Sequence, residues 1–182
     1  MRPLQPVGVT EVAYGSPTWS ASSGADRYRR SIYTFVKRTA PFAMFSTFDA
    51  PSGEACIALR TRSNSPLQAL TLLNDVMLVD LARVTGKKFA GEAATSTVQE
   101  TLSQLLQAAV VRPGTPTELE HLSVFWHSQH DAFETDAAAA QELLGTETSG
   151  KELPPGVSLA TLAAWTATAR AVFGLDEFQT RE

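Results

Sequence analysis

Three times along this 182-residue chain a hydroxyl residue stands three positions before a Glu or Gln, at the head of an apolar run. Ser65 precedes Pro66 and Gln68, Thr97 precedes Glu100, and Thr115 precedes Pro116 and Glu118. In such a pair the hydroxyl accepts from an otherwise orphaned helix amide, and the acid or amide reaches back to the cap residue's own N–H. Proline fits the first helical position, where a missing N–H costs nothing. These starts constrain the chain to be mainly α. The first predicts one helix from residue 66 to about 85. The second opens a helix with Val98, Leu102, Leu105 and Ala109 on one face, and the third a helix with Leu119, Leu122, Trp126 and Phe133 inward. An alanine-rich helix over about 136–144 stops at Gly145. A last helix over about 158–173 presents Leu159, Leu162, Thr166, Ala169 and Phe173 at helical spacing.

Two stretches break this pattern. Residues 31–37 (SIYTFVK) are dense in β-branched and aromatic side chains, and ACIALR (55–60) is a second short apolar run. They predict two short strands, able to pair antiparallel, with helices covering them because two strands alone are marginal in water. The expected fold is therefore a helical bundle with a small two-stranded β element near the N-terminal third. Residues 1–25, rich in Pro, Gly, Ser and Thr, are expected to form an irregular arm, and residues 26–182 a single helical domain.

Charge and composition narrow the function. A formal net charge of -4 argues against a general nucleic-acid binder. One cysteine, Cys56, excludes an intrachain disulfide framework and any C-x-x-C metal or haem motif. No apolar run reaches the roughly 18 residues a membrane span needs. The opening MRPLQPVGVTEV lacks the basic-then-apolar order of a signal peptide.

Four groupings could carry chemistry. Projected as one helix, residues 66–85 place Asn74 among Leu67, Leu70, Leu78 and Leu81, while Gln68, Thr71 and Asp75 form a polar stripe. Asn74 is then a buried amide that either fixes packing or lines a polar cleft with Asp75, Gln68 and Asn64. A second grouping interleaves cations and rings: Arg27, Tyr28, Arg29, Arg30, Tyr33, Lys37 and Arg38, extended by Arg60 and Arg62. It either pairs with carboxylates, Asp49 foremost, or binds an anion. His127, His130, Asp131 and Glu134 have metal-like spacing but project opposite Leu122, Trp126 and Phe133, so they are read as a solvated face without a metal. Cys56, in an apolar run, is read as a buried structural thiol.

Several segments, in order, carry a family resemblance: RRSIYTFVKRTAP, STFDAP, the stretch from Cys56 to Arg62, NSPLQALTLLND and the tail AAWTATARAVFGLDEFQTRE. Together they resemble the C-terminal part of the planctomycete-specific domain (PSD) family, a domain of unknown function, over about residues 14–81 and 162–182. Among the family's characteristic positions are Arg29, Arg30, Tyr33, Lys37, Arg38, Asp49, Cys56, Arg60 and Arg62. Further along are Asn64, Gln68, Asn74, Asp75 and the Leu175–Asp176–Glu177 run. Departures include Leu59 where a second arginine is usual, and Ser63 and Ser65 where threonines are usual. Both serines keep the hydroxyl.

The resemblance implies a long exported parent, periplasmic or at the cell surface, with a cytochrome c domain and another domain further N-terminal. This chain then corresponds to a C-terminal portion or a shortened member, exposing apolar surface where its partners, the N-terminal domains, pack. Any haem sits on those domains; no cofactor and no metal is expected on this chain. The expected role is an interaction or accessory module in a cytochrome c-linked multidomain protein tied to polysaccharide breakdown. The alternative is an enzyme domain acting on a carbohydrate or polyol. Catalytic candidates are Asp49, Arg60, Asn64 and Asn74; binding candidates are Arg30, Tyr33, Arg38, Arg62, Gln68 and Asp75.

Overall fold

Helix starts follow the local chemistry. Thr97 Oγ1 accepts from Glu100 N at 3.3 Å while Glu100 Oε2 accepts from Thr97 N at 3.0 Å. Thr115 and Glu118 repeat the pair at 3.3 and 2.7 Å. Ser158 Oγ accepts from Thr161 N at 3.1 Å. The computed structural model describes residues 1–4, 8, 19–37, 40–145 and 153–179. Within them run α1 (Ala43–Thr47), α2 (Pro66–Asn74), α3 (Val76–Ala93), α4 (Val98–Val110), α5 (Pro116–Thr135), α6 (Ala137–Leu144), α7 (Leu159–Phe173) and α8 (Asp176–Gln179). Short 3-10 turns occupy Gly24–Tyr28 and Ser31–Tyr33. Gly145, at φ 72°, ends α6 where expected. None of these helices is long and apolar enough to cross a membrane.

The single helix expected over 66–85 is two helices. Asp75 leaves helical geometry (φ -65°, ψ 133°) and its carboxylate accepts from Met77 N at 2.9 Å, capping α3. Aspartate is poor inside a helix and strong at an N-cap, because its short side chain competes for backbone amides. Asn74 consequently ends α2 and is exposed, not buried among leucines. The carbonyl of Leu73, at the same break, accepts from Arg170 Nη2 of α7 at 2.6 Å, supplying a partner that a helix end otherwise lacks.

The expected β element is absent: no strand occurs among the described residues. Residues 31–33 close into a turn, and the extended backbone after it is engaged elsewhere. Phe35 N donates to Met1 O at 2.7 Å, and the Met1 amino group donates to Tyr33 O at 2.6 Å. Residues 51–64 lie exposed, Cys56 among them, so the thiol is not a buried structural one. Leu59 is 87% exposed and Ile32 82%. A strand needs a partner edge and a covered face, and ACIALR has neither.

The chain divides into two compact units, Met1–Thr71 and Leu72–Glu182. In the first, the Trp19 ring stacks on Phe42 (centroids 6.3 Å, interplanar angle 4°), and Phe45 meets Phe42 edge-on at 5.5 Å. Much of the arm expected over 1–25 lies outside the described residues.

The second unit is built around α7. Leu162, Ala163, Ala164, Trp165, Ala169 and Val172 are all buried, so the helix is covered almost all round. Two threonines permit this. Thr166 Oγ1 donates to Leu162 O at 2.9 Å and Thr168 Oγ1 to Ala164 O at 2.8 Å, so neither hydroxyl is stranded. Helix α3 approaches α7 through small residues. A Cβ at Gly86 would fall 2.5 Å from Thr166 Oγ1 and 2.8 Å from its backbone N and Cα. Leu102, Leu105 and Leu106 of α4, Trp126 of α5, and Ala140 and Leu144 of α6 complete the core. Trp126 and Trp165 sit 5.6 Å apart. The inward faces expected of α4, α5 and α7 are the faces that pack.

Candidate functional site

Among the described residues of the first unit, a dense polar constellation centres on Asp49. Helix α1 ends at Phe48, and Asp49 follows with φ 55°, a left-handed conformation that Asp tolerates better than most residues. That turn swings the carboxylate back over the chain. Its Oδ2 accepts from Ser63 N at 2.7 Å, Ser63 Oγ at 2.7 Å and Gln68 Nε2 at 3.3 Å. Gln68, 1% exposed, donates also to Thr47 O at 2.9 Å and Ser63 Oγ at 3.1 Å. Its Oε1 accepts from Ser65 N at 2.9 Å, which is the reach-back arm of the helix start read from the sequence. Arg60 closes the far side: Nε donates to Asp49 O at 3.0 Å and Nη2 to Phe48 O. One carboxylate, one amide and one guanidinium thus tie residues 47–49, 60–63 and 65–68 into a knot.

The Ser63 hydroxyl and then its amide hold the Asp49 carboxyl below the usual carboxylate range, with smaller help from Gln68 and the Arg60 charge. An anion stabilised in this way is a poorer proton acceptor, and Oδ2 already takes three donors. The Arg60 guanidinium is likewise directed at two main-chain carbonyls. In this arrangement Asp49, Gln68 and Arg60 cross-link loops.

Asp49, Arg60 and Gln68 are therefore brought together, with Ser63 as the member that sequence reasoning passed over. The one clue to Ser63 was its retained hydroxyl. Asn64 follows it and is exposed. Asn74 and Asp75 belong to the second unit, at the α2–α3 junction, and Asp75 is used as a helix cap. Arg30 and Tyr33 are exposed, with the Arg29 guanidinium 5.8 Å from the Tyr33 ring centroid. Arg62 is exposed, and Arg38 lies outside the described residues.

A second charged constellation was not legible beforehand. Arg112 grips two carboxylates: Nε donates to Glu177 Oε1 and Oε2 at 2.8 and 3.0 Å, and Nη2 to Glu118 Oε1 at 2.7 Å. Glu118 is also the capping residue of α5, so one side chain serves a helix start and a tertiary bridge. The Arg112 guanidinium, aided by the Thr115 amide and hydroxyl, lowers the Glu118 carboxyl to about 2. Arg112 lowers Glu177 as well and is itself pushed up by both partners. Glu177, a characteristic position of the resemblance, here anchors α8 to the α4–α5 turn.

On α5, His127 and Asp131 are exposed, as a solvated face requires. His130 differs. Its ring stacks on Trp126 (5.1 Å, 22°), and Nε2 lies 3.3 Å from Thr161 Oγ1 of α7. Among the described residues, no group of three or more His, Cys, Asp or Glu is placed to hold a metal ion.

A mainly helical protein, with a polar constellation that fastens loops among its described residues, is the class this geometry defines. A family model described as PSD1, protein of unknown function (DUF1553), matches residues 1–126. This chain belongs to that family, and the match includes the whole Asp49 knot. No curated protein and no solved structure matches the chain.

Proposed function

We propose that this chain is an interaction or accessory module of an exported, cytochrome c-linked multidomain protein tied to polysaccharide breakdown. One observation carries the interaction role: apolar side chains suited to burial stand in water. Leu67 on α2 is 61% exposed, and Leu70, Ile57, Leu59 and Ile32 are exposed too. Exposed large aliphatics in this number within one unit support a surface on which another protein packs. The exported, cytochrome-linked setting is supported by the segment resemblance described above, whose members join this region to a cytochrome c domain.

The carbohydrate-enzyme alternative needs Asp49, Arg60, Asn64 and Asn74 to present free polar groups to one open cleft. Asp49 and Arg60 spend theirs on Ser63, Gln68 and main-chain carbonyls, so nothing specific favours it.

The test is calorimetric titration of the chain with the purified N-terminal domains of a PSD-family parent, the cytochrome c domain included. Saturable binding is expected, lost in the Leu67→Lys/Leu70→Lys double variant. An absence of binding to every such domain would overturn the proposal.

A further inference from the structure

Resting on the interaction role just proposed, we infer that the segment from Arg27 to Lys37 is a docking surface for an acidic protein partner with an apolar centre. The segment reads RYRRSIYTFVK. Thr34 is buried and fixes the strip to its unit, while Tyr28, Ile32, Tyr33 and Val36 around it face water. Cations flank these apolar groups. Arg29 is held by Asp26 at 2.6 Å, and its guanidinium lies near the Tyr33 ring. Arg30 and Lys37 make no ion pair among the described residues.

The wider charge distribution fits this partner. Residues 1–71 hold eight of the fifteen Lys and Arg but four of the nineteen Asp and Glu. An acidic chain thus carries a basic first unit, whose field steers an acidic partner toward it. A polysaccharide sulfate or a nucleic acid backbone would satisfy Arg30 and Lys37 but offers no apolar counterpart to Ile32 and Val36. A protein surface supplies both: carboxylates at the rim and an aliphatic or aromatic centre. Charge thereby sets encounter and orientation, and aliphatic burial sets the lifetime of the complex.

The test uses the full chain and a fluorescein-labelled synthetic peptide of about twelve residues, alternating Glu with Leu and Phe, a length comparable with the strip's own eleven residues. Controls are an all-Glu peptide, the same peptide with Lys for Glu, a heparin oligosaccharide and a single-stranded DNA. Fluorescence anisotropy should show binding to the Glu/Leu/Phe peptide alone, weakening as salt is raised. Arg30→Glu with Lys37→Glu, and separately Ile32→Ser with Val36→Ser, should each weaken it by about tenfold or more. Equal binding of the all-Glu peptide, heparin or DNA would overturn the inference in favour of a polyanion site. Insensitivity to the Ile32/Val36 change would overturn it as well. Salt-sensitive self-association in light scattering, abolished by either double change, would put a second copy in the partner's place and likewise overturn it. If the peptide fails while the N-terminal domains still bind, this surface falls and the interaction role stands.

Discussion

The two units hold themselves together by different means. The second is a close-packed helical core in which α7 is covered on nearly every side and small residues let α3 approach it to backbone contact. The first leaves much of its aliphatic content outside and fastens its loops by a polar knot on Asp49, Arg60 and Gln68. Packing of the first kind is sensitive to volume. Knotting of the second kind is sensitive to hydrogen-bond partners and indifferent to much of the surrounding apolar content. The same residue type therefore means different things in the two units, and single substitutions can separate them.

The largest effect is expected at Trp165, fully buried at the centre of the second unit. Trp165→Ala should cost about 3–5 kcal/mol in urea unfolding followed by far-UV circular dichroism; a loss under about 1 kcal/mol would mean α7 is not the centre of the core. Next is Gly86→Ala. Alanine normally improves a helix interior, by about 1 kcal/mol over glycine. Here the added Cβ meets the Thr166 backbone, so a net destabilisation of about 1–3 kcal/mol is expected. A stabilised variant would contradict the close approach of the two helices.

The knot is tested by two neighbours on α2. Gln68→Ala removes the partner of Thr47 O, Ser63 Oγ and Ser65 N, and should cost about 1–3 kcal/mol. Leu67→Ala, at an exposed position, should stay within about 0.5 kcal/mol. The reverse ranking, read from the same unfolding curves, would restore the leucine-centred packing that the sequence pattern suggests.

The smallest effect is electrostatic. Glu118 has its carboxyl depressed to about 2 in the folded chain, so the Arg112 bridge contributes stability fully present above the ordinary carboxylate range near pH 4.5. That contribution is lost progressively as pH falls toward 2. Glu118→Gln should flatten the acid limb of a melting-temperature profile in this window and leave the profile above pH 5 parallel to the parent's. An unchanged acid limb would show that the Arg112–Glu118 pair does not form in solution.

The helix starts at Thr97, Thr115 and Ser158, the stop at Gly145 and the inward faces of α4, α5 and α7 could all be read from the sequence, because each depends on residues a few positions apart. The knot was half legible. Gln68 announced itself as a capping partner, and Asp49 as a partner for arginines. Their meeting through Ser63 was not legible, since it joins segments more than ten residues apart across a turn with positive φ. The Arg112 bridge to Glu177 spans 65 residues and left no local trace.

The sequence by itself determined the helix starts at Thr97, Thr115 and Ser158 and the stop at Gly145, since capping is a contest between side chain and backbone over a single turn. Only the tertiary structure decided which faces of α2 and α3 are buried. Leu67, Leu70, Leu78 and Leu81 look like one face in projection, yet Leu67, Leu70 and Leu81 stand exposed, and α3 buries Leu78 together with Ala82, Gly86, Phe89 and Ala90. Burial is a property of two surfaces meeting, and small residues permit the nearest approach, so hydrophobicity along one helix could not choose the face. The pair Asn74–Asp75 was settled the same way. A break capped by Asp75, with Arg170 of α7 reaching Leu73, replaced the continuous helix that periodicity alone had drawn.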